Sequence, residues 1–276
     1  MQVRSEVKFL ILGAGWTSTY LIPILQEKKV EYIATSTTGR PGTIKFLFEP
    51  DALEPSGFEV LPEATTILIT FPLRGVGQSK KLINFYQQTH HTKPHYIQLG
   101  STGIWRGGGH PGWMDRHSPY DTKNERAIAE DELIQMGGCV LNLAGLWGGE
   151  RSARRFVRRA ASTKASLKEK GSLHLIHGRD VARAIHAVHQ DWPGAGRWLL
   201  TDTFVRDWWA LLAGWGSAGA AGEEEDATGE ALEWVRELMA EEGVKALPRS
   251  VETLGRAYDS REFWERFNLS PVVARL

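Results

Sequence analysis

Short apolar runs and longer amphipathic stretches take turns along this chain. The runs at 7–12, 30–35, 44–48, 64–70, 95–99 and 139–143 have the length of strands buried on both faces. Between them, 17–27, 77–89, 122–136 and a segment opening at 180–185 read as helices, with Pro23 an awkward interior member of the first. Asp180 is the expected N-cap of the last. A short strand at 198–200 ends the series. Alternation of this kind predicts an α/β fold on a doubly wound parallel sheet, with ligands at the carboxyl ends of its strands. Trp208 and Trp209 then open a C-terminal cap, with a helix at 230–242, an amphipathic piece at 261–267 and a flexible acidic insert over 217–229. The expected organisation is a sheet domain over 1–200, contributing to a substrate pocket from 144 onward, and a helical cap over 201–276.

The first run breaks at Gly13 and Gly15, and helix-forming residues follow at once. Strand, tight glycine turn and helix start are the parts that hold a dinucleotide pyrophosphate. Gly13 lets the chain reverse; Gly15 removes a side chain that keeps phosphate from the backbone; the free N–H groups near Trp16 and Thr17 face the anion. Ser18 stands where a third glycine is usual. Gly214, Gly216 and Gly219 satisfy the full three-glycine spacing, but helical and acidic sequence surrounds them, and they read as a linker. The stretch 75–80 lacks the Gly-Lys-Ser/Thr ending of a P-loop.

Charge at the second strand's end selects the cofactor. An NAD site usually places an acid there for the ribose hydroxyls; this chain has Thr35-Ser-Thr37-Thr-Gly-Arg40. Hydroxyls and a guanidinium suit a 2′-phosphate, so NADP is expected over NAD, the alternative being that Arg40 is a turn residue before Pro41. Glu49 or Asp51 is either near the adenine or a solvated loop acid. Phe71, Pro72 and Leu73 follow the fourth strand on the same sheet edge, where the middle of the cofactor passes, and Ser101 ends the fifth strand before a glycine loop at 107–109.

Composition narrows the partners. Basic and acidic residues number 33 each, which favours neither nucleic acid nor a membrane surface. A lone Cys139 forms no intrachain disulfide, and no run is long enough to span a bilayer, so a cytoplasmic protein is expected. His174 and His177, like His186 and His189, are three apart with no further ligand completing a metal spacing, so no metal is expected. Arg151, Arg154, Arg155, Arg158 and Arg159 form a basic helical stretch. It reads as a solvated face balanced by acids over 223–242, the alternatives being a phosphorylated substrate or nucleic acid.

Several landmarks in shared order resemble the extended or atypical branch of the short-chain dehydrogenase/reductase superfamily, the NAD(P)-dependent epimerase/dehydratase-like proteins. They are Gly13-Ala-Gly15, Ser101-Thr-Gly103, Asp115-Arg-His-Ser-Pro119, Leu143-Ala-Gly-Leu146-Trp147-Gly and Ile176-His177-Gly-Arg-Asp180-Val-Ala182. The resemblance spans about residues 7–200 and implies a Rossmann-type sheet, a nicotinamide cofactor and a homodimer as the candidate assembly. It also implies a Tyr-x-x-x-Lys pair on the helix after strand five, with a Ser at that strand's end fixing the carbonyl. Ser101 matches the last role. In the register set by Arg126-Ala-Ile-Ala-Glu130, Arg126 replaces the Lys and Thr122 the Tyr; in the other register Tyr120 is the acid and Asn124 replaces the Lys. Arg126 remains able to bind ribose, although it differs from Lys in shape and stays protonated.

Two functions follow as expectations. One is an NADP-dependent reductase or epimerase-like enzyme with a non-standard acid, acting on a small organic carbonyl or sugar-like substrate in a pocket lined by Trp105, Trp113 and Trp147. The other is a catalytically silent NADP-binding redox sensor that signals to a partner.

Overall fold

The computed structural model describes residues 6–106, 112–217 and 226–274. In chain order the strands are β1 (Glu6–Leu12), β2 (Tyr32–Ser36), β3 (Ile44–Lys45), β4 (Glu63–Ile69), β5 (His95–Ser101), β6 (Gly112–Met114), β7 (Cys139–Leu143), β8 (Gly145–Trp147), β9 (Ser172–Leu173), β10 (Leu175–His177), β11 (Gly196–Leu200), β12 (Arg206–Asp207) and β13 (Arg256–Tyr258). Seven of them form one all-parallel sheet in the order β11-β7-β5-β4-β1-β2-β3. The strand order reverses between β1 and β4, which opens a crevice at their carboxyl ends. The remaining strands pair as β8 with β10, β9 with β12, and β6 with β13.

The helices are α1 (Trp16–Glu27), α2 (Gln78–Thr89), α3 (Glu125–Gln135), α4 (Ala153–Ala160), α5 (Lys164–Lys168), α6 (Gly178–Gln190), α7 (Trp208–Ser217), α8 (Asp226–Glu241), α9 (Val251–Leu254) and α10 (Arg261–Arg266). The central strands are largely apolar because helices cover both sheet faces. Phe9 and Ile11 of β1 pack with Leu21 and Leu25 of α1 and with Val181 and Ile185 of α6. Leu10 and Leu12 face the other way, onto Leu82 and Ile83 of α2 and Leu133 of α3. Each such side chain, fully buried, contributes about 1.5–3 kcal/mol.

A separate core joins α4 and α5 to α7 and α8 through Val157, Leu167, Trp209, Leu212, Val235 and Leu238. Trp209 donates its indole N–H to the Leu167 carbonyl at 3.0 Å, and the Arg249 guanidinium lies 3.8 Å over its ring while pairing with Asp207. The cap therefore draws on 153–173 as well as on residues beyond 201. In the opposite direction, Phe263 and Trp264 of α10 return to the main core beside Trp198.

Several elements depart from the sequence expectation. β3 is two residues long instead of reaching 48, because it pairs on one side only and Phe46 turns inward. α3 begins at Glu125, capped by the Asn124 side chain, so Thr122 lies ahead of the helix. His177, not Asp180, caps α6: its Nδ1 accepts from the Arg179 N–H at 3.1 Å. Asp180 is fully buried and instead holds the C-terminal tail, accepting from the backbone N–H groups of Val272 and Val273. Gly214 and Gly216 are not in a linker, since α7 continues to Ser217. Of the expected insert, 218–225 lie outside the described residues, as do the glycines at 107–109 and the third glycine of the 214–219 match; α8 already begins at Asp226. Among the described residues no helix is long and apolar enough to cross a membrane.

Candidate functional site

The reversal after β1 is built around Gly13, whose φ of +90° favours glycine. A Cβ there would lie 2.7 Å from Thr70 Oγ1. Gly13 N–H donates to Thr35 Oγ1 at 3.0 Å and Ala14 N–H to the Thr35 carbonyl at 2.6 Å, which ties the turn to β2. On the other side Thr70, just past β4, donates its hydroxyl to the Leu12 and Gly13 carbonyls. Gly15 is the N-cap of α1 and no side chain caps the helix, which leaves its opening turn to an external anion.

Two hollows meet at this turn, and both border on Gly15 and Thr70. The first, about 490 Å³, is lined by Gly13, Thr37, Arg40, Phe46, Phe48 and Phe71, among others. Phe48 and Phe71 stack at 6.0 Å and give it a flat apolar wall. Arg40 reaches back over the turn and donates to the Ala14 carbonyl, while its own N–H is held by Ser36 Oγ at 3.1 Å. The second hollow, about 230 Å³, is lined by Trp16, Thr17, Pro72, Arg126, Leu146 and Arg151 with Leu99, Gly100 and Leu143.

Arg126 enters the second hollow from α3 and donates to the Leu99 carbonyl at 2.9 Å. Its Nε has no hydrogen-bond partner, and its nearest charge is Glu130 at 4.0 Å. Burial holds the Arg126 pKa below its ordinary value, against the pull of Glu130. Glu130 is wholly buried and accepts from Ser101 N–H at 3.2 Å, Asn142 Nδ2 at 2.7 Å and Arg197 at 3.3 Å. Burial pushes its carboxyl up despite those partners. This cluster explains Gly100, where a Cβ would come within 2.6 Å of Asn142 and 2.7 Å of Glu130.

The other residues singled out in the sequence sit as follows. Ser18 and Leu73 are buried beneath the turn and line neither hollow, the Ser18 hydroxyl without a partner. Ser101 is in neither lining; its Oγ accepts from Gly103 N–H at 3.1 Å and caps the short turn that follows. Tyr120 donates its hydroxyl to Asp131 at 2.8 Å beneath the Arg197 guanidinium, and it too is in neither lining. Burial first, then the Asp131 hydrogen bond, raises its pKa. Glu49 and Asp51 are exposed loop acids. Trp105 is buried in a small core with its N–H on the Ser118 carbonyl, and Trp113 is exposed; only Trp147 of the three borders a hollow.

Sequence reasoning missed Thr70, Phe48 and Arg151 as lining residues. Arg151 lies 4.4 Å over the Trp16 ring, whose indole N–H donates to the Gly148 carbonyl at 3.1 Å. Its position two residues after the Gly148-Gly149 pair was the available signal. Among the described residues no group of three His, Cys, Asp or Glu is arranged to hold a metal.

No protein-family model matches the sequence, and no curated protein does. Solved structures do match over nearly the whole length. A putative NAD-dependent epimerase/dehydratase from Methylobacillus flagellatus is 16% identical, with a TM-score of 0.59 over 95% of this chain and 92% of that one. The UDP-N-acetylglucosamine 4-epimerase from Bacillus cereus is 9% identical, with a TM-score of 0.59 over 97% and 94%. A yeast methylglyoxal/isovaleraldehyde reductase complexed with NADPH is 12% identical, with a TM-score of 0.62 over 96% and 94%. With its β3-β2-β1-β4-β5-β7-β11 parallel order and added cap, the chain shares with these epimerase/dehydratase and reductase structures a Rossmann-type α/β fold.

Proposed function

We propose that the crevice between β1 and β4 holds NADP(H), and that the protein is a reductase or epimerase-like enzyme acting on a small organic carbonyl or sugar-like substrate. One observation carries the reading: an uncapped helix start at Gly15 lies where two hollows meet, one flat-walled and one facing Arg126. The residues present fit a dinucleotide. Gly13 and Gly15 leave the turn open for a pyrophosphate, and Phe48 and Phe71 offer a surface for a flat base. Arg40 with Thr37 supplies charge and a hydroxyl for a 2′-phosphate, which favours NADP over NAD. Arg126, with an unpartnered Nε, is placed to donate to a ribose or carboxamide oxygen. When bound, the cofactor supplies or accepts hydride; the chain binds it, orients it and shields it from water.

A second reading is favoured by Tyr120, whose hydroxyl is committed to Asp131, and by Thr122, which lies ahead of α3. A crevice with no tyrosine among the described residues that line it fits a catalytically silent NADP-binding redox sensor. Parallel titrations with NADPH and NADH, followed by turnover on a carbonyl panel, separate the two. Tight NADPH binding with turnover supports the enzyme, and tight binding without turnover supports the sensor. Binding of neither nucleotide sinks both.

A further inference from the structure

A third hollow, of about 440 Å³, continues from Leu146 and Arg151, the two residues it shares with the Arg126 hollow. One of its walls is α4. Ala153 and Val157 of that helix are buried in the cap core, and this packing leaves Arg155 and Arg159, one turn apart, lining the hollow. Arg151 joins them from just ahead of the helix, and Trp147 and Phe156 add apolar surface. Three guanidiniums thus face one carboxylate, Glu150.

Of the acids expected to balance these arginines, 223–225 lie outside the described residues, and those at the C-terminal end of α8 pair elsewhere. Lys164 takes Glu237 and Glu241 at 2.5 and 2.6 Å, and Lys168 takes Glu242 at 2.6 Å. Among the described residues no carboxylate pairs with Arg151, Arg155 or Arg159. Arg154, on the neighbouring face, lies 5.5 Å over the Trp215 ring and is not in the lining. Like charges one turn apart repel, so an unpaired cluster around a concavity is held at a cost that a bound anion relieves. The planar fork of arginine suits oxyanions, which it grips through two parallel hydrogen bonds.

We infer that this hollow takes the oxyanion end of the substrate, a phosphoryl or carboxylate group, held by Arg155 and Arg159 with Arg151 at the boundary to the cofactor crevice. The substrate is then an anionic carbonyl compound rather than a neutral one. The inference rests on the reading of the neighbouring crevice as the cofactor site.

The test uses the full chain at fixed ionic strength and calorimetric titration with inorganic phosphate and with succinate, each with and without saturating NADPH. Wild type is expected to bind at least one anion with NADPH present. The R155A/R159A variant is expected to lose about tenfold or more of that affinity, with its melting temperature and NADPH affinity unchanged, while R155K/R159K retains most of it and R154A behaves as wild type. The stronger of the two anions identifies the group as phosphoryl or carboxylate. Equal anion binding by wild type and R155A/R159A, competition between anion and NADPH, or binding of neither anion would each overturn the inference. Failure of NADPH to bind sinks the cofactor reading instead, and the cofactor-free titrations still decide the hollow.

Discussion

The Tyr120 hydroxyl and the Asp131 carboxylate are joined by a 2.8 Å hydrogen bond across the start of α3. Arg197 covers the same tyrosine ring at 4.2 Å and pairs with the same carboxylate. This bond fixes the loop that enters α3 and, through Arg197, touches the Glu130 cluster behind Ser101. Tyr120→Phe is therefore expected to lower stability by about 1 kcal/mol, the net worth of one hydrogen bond, and to leave NADPH affinity unchanged. Urea unfolding and a nucleotide titration of the same variant check it. A loss of turnover with stability and binding intact would instead make Tyr120 the proton donor.

Gly13 bears on the crevice more directly. Alanine at φ +90° is strained, and its methyl group meets Thr70 Oγ1 at 2.7 Å. Thr70 cannot retreat without giving up its hydroxyl bonds to the Leu12 and Gly13 carbonyls. Gly13→Ala is expected to cost roughly 1–3 kcal/mol of stability and to weaken dinucleotide binding about tenfold or more. Calorimetric melting with and without NADPH reads both effects. An NADPH-induced shift in Tm as large as in wild type contradicts the placement of the cofactor at this turn.

The legible part of the molecule was its buried sheet. Phe9, Leu10, Ile11 and Leu12 are all fully buried, so the second half of β1 reads as an unbroken apolar run whatever surrounds it. β3 misled because Phe46 and Phe48 are apolar for another reason: they wall a hollow instead of extending a ladder. Asp180 has the residue type of an N-cap, but its partners are backbone N–H groups at Val272 and Val273, which no local pattern announces. Of the site, the glycine turn, Arg40 and Arg126 were readable because their spacing follows from strand and helix geometry. The direction in which Arg155 and Arg159 face was not, because α7 and α8, packed against α4 from far along the chain, decide it. The hydrogen bond of Tyr120 to Asp131 was not legible for the same reason: the local pattern does not place the two side chains together.

The proposed preference for NADP over NAD turns on Arg40. Its guanidinium lies on the Ala14 carbonyl at the edge of the flat-walled hollow, beside Thr37. A charge-assisted hydrogen bond is worth about 1.5–3 kcal/mol, or about 10–100-fold in affinity. Arg40→Ala is expected to weaken NADPH by that factor relative to NADH, because only NADPH carries the 2′-phosphate. The ratio of the two dissociation constants is the readout, since losing the bond to Ala14 disturbs both cofactors alike. An unchanged ratio assigns Arg40 to the turn alone and removes the case for NADP.

His174 gives the fold an acid-sensitive point. Burial, with Arg256 and Arg206 nearby, holds its imidazole down at about 3. The geometry requires a neutral ring: Nε2 accepts the Tyr258 N–H at 3.0 Å, so the single ring proton sits on Nδ1, and a second would have to go on Nε2 against that donor. In the unfolded chain a histidine titrates near 6.5. As pH falls below about 6.5, the unfolded state therefore binds a proton that the folded state refuses, and stability declines by up to about 1.36 kcal/mol per pH unit. His189, held at about 4 mainly by burial, adds a similar slope over a narrower window. His174→Gln keeps an acceptor for Tyr258 and removes the titration, so its stability should fall less steeply than wild type between neutral and mildly acid pH. Denaturant melts of both proteins across that interval decide it: parallel slopes mean that His174 takes up its proton in the folded state, and that the strand β13 it anchors tolerates the charge.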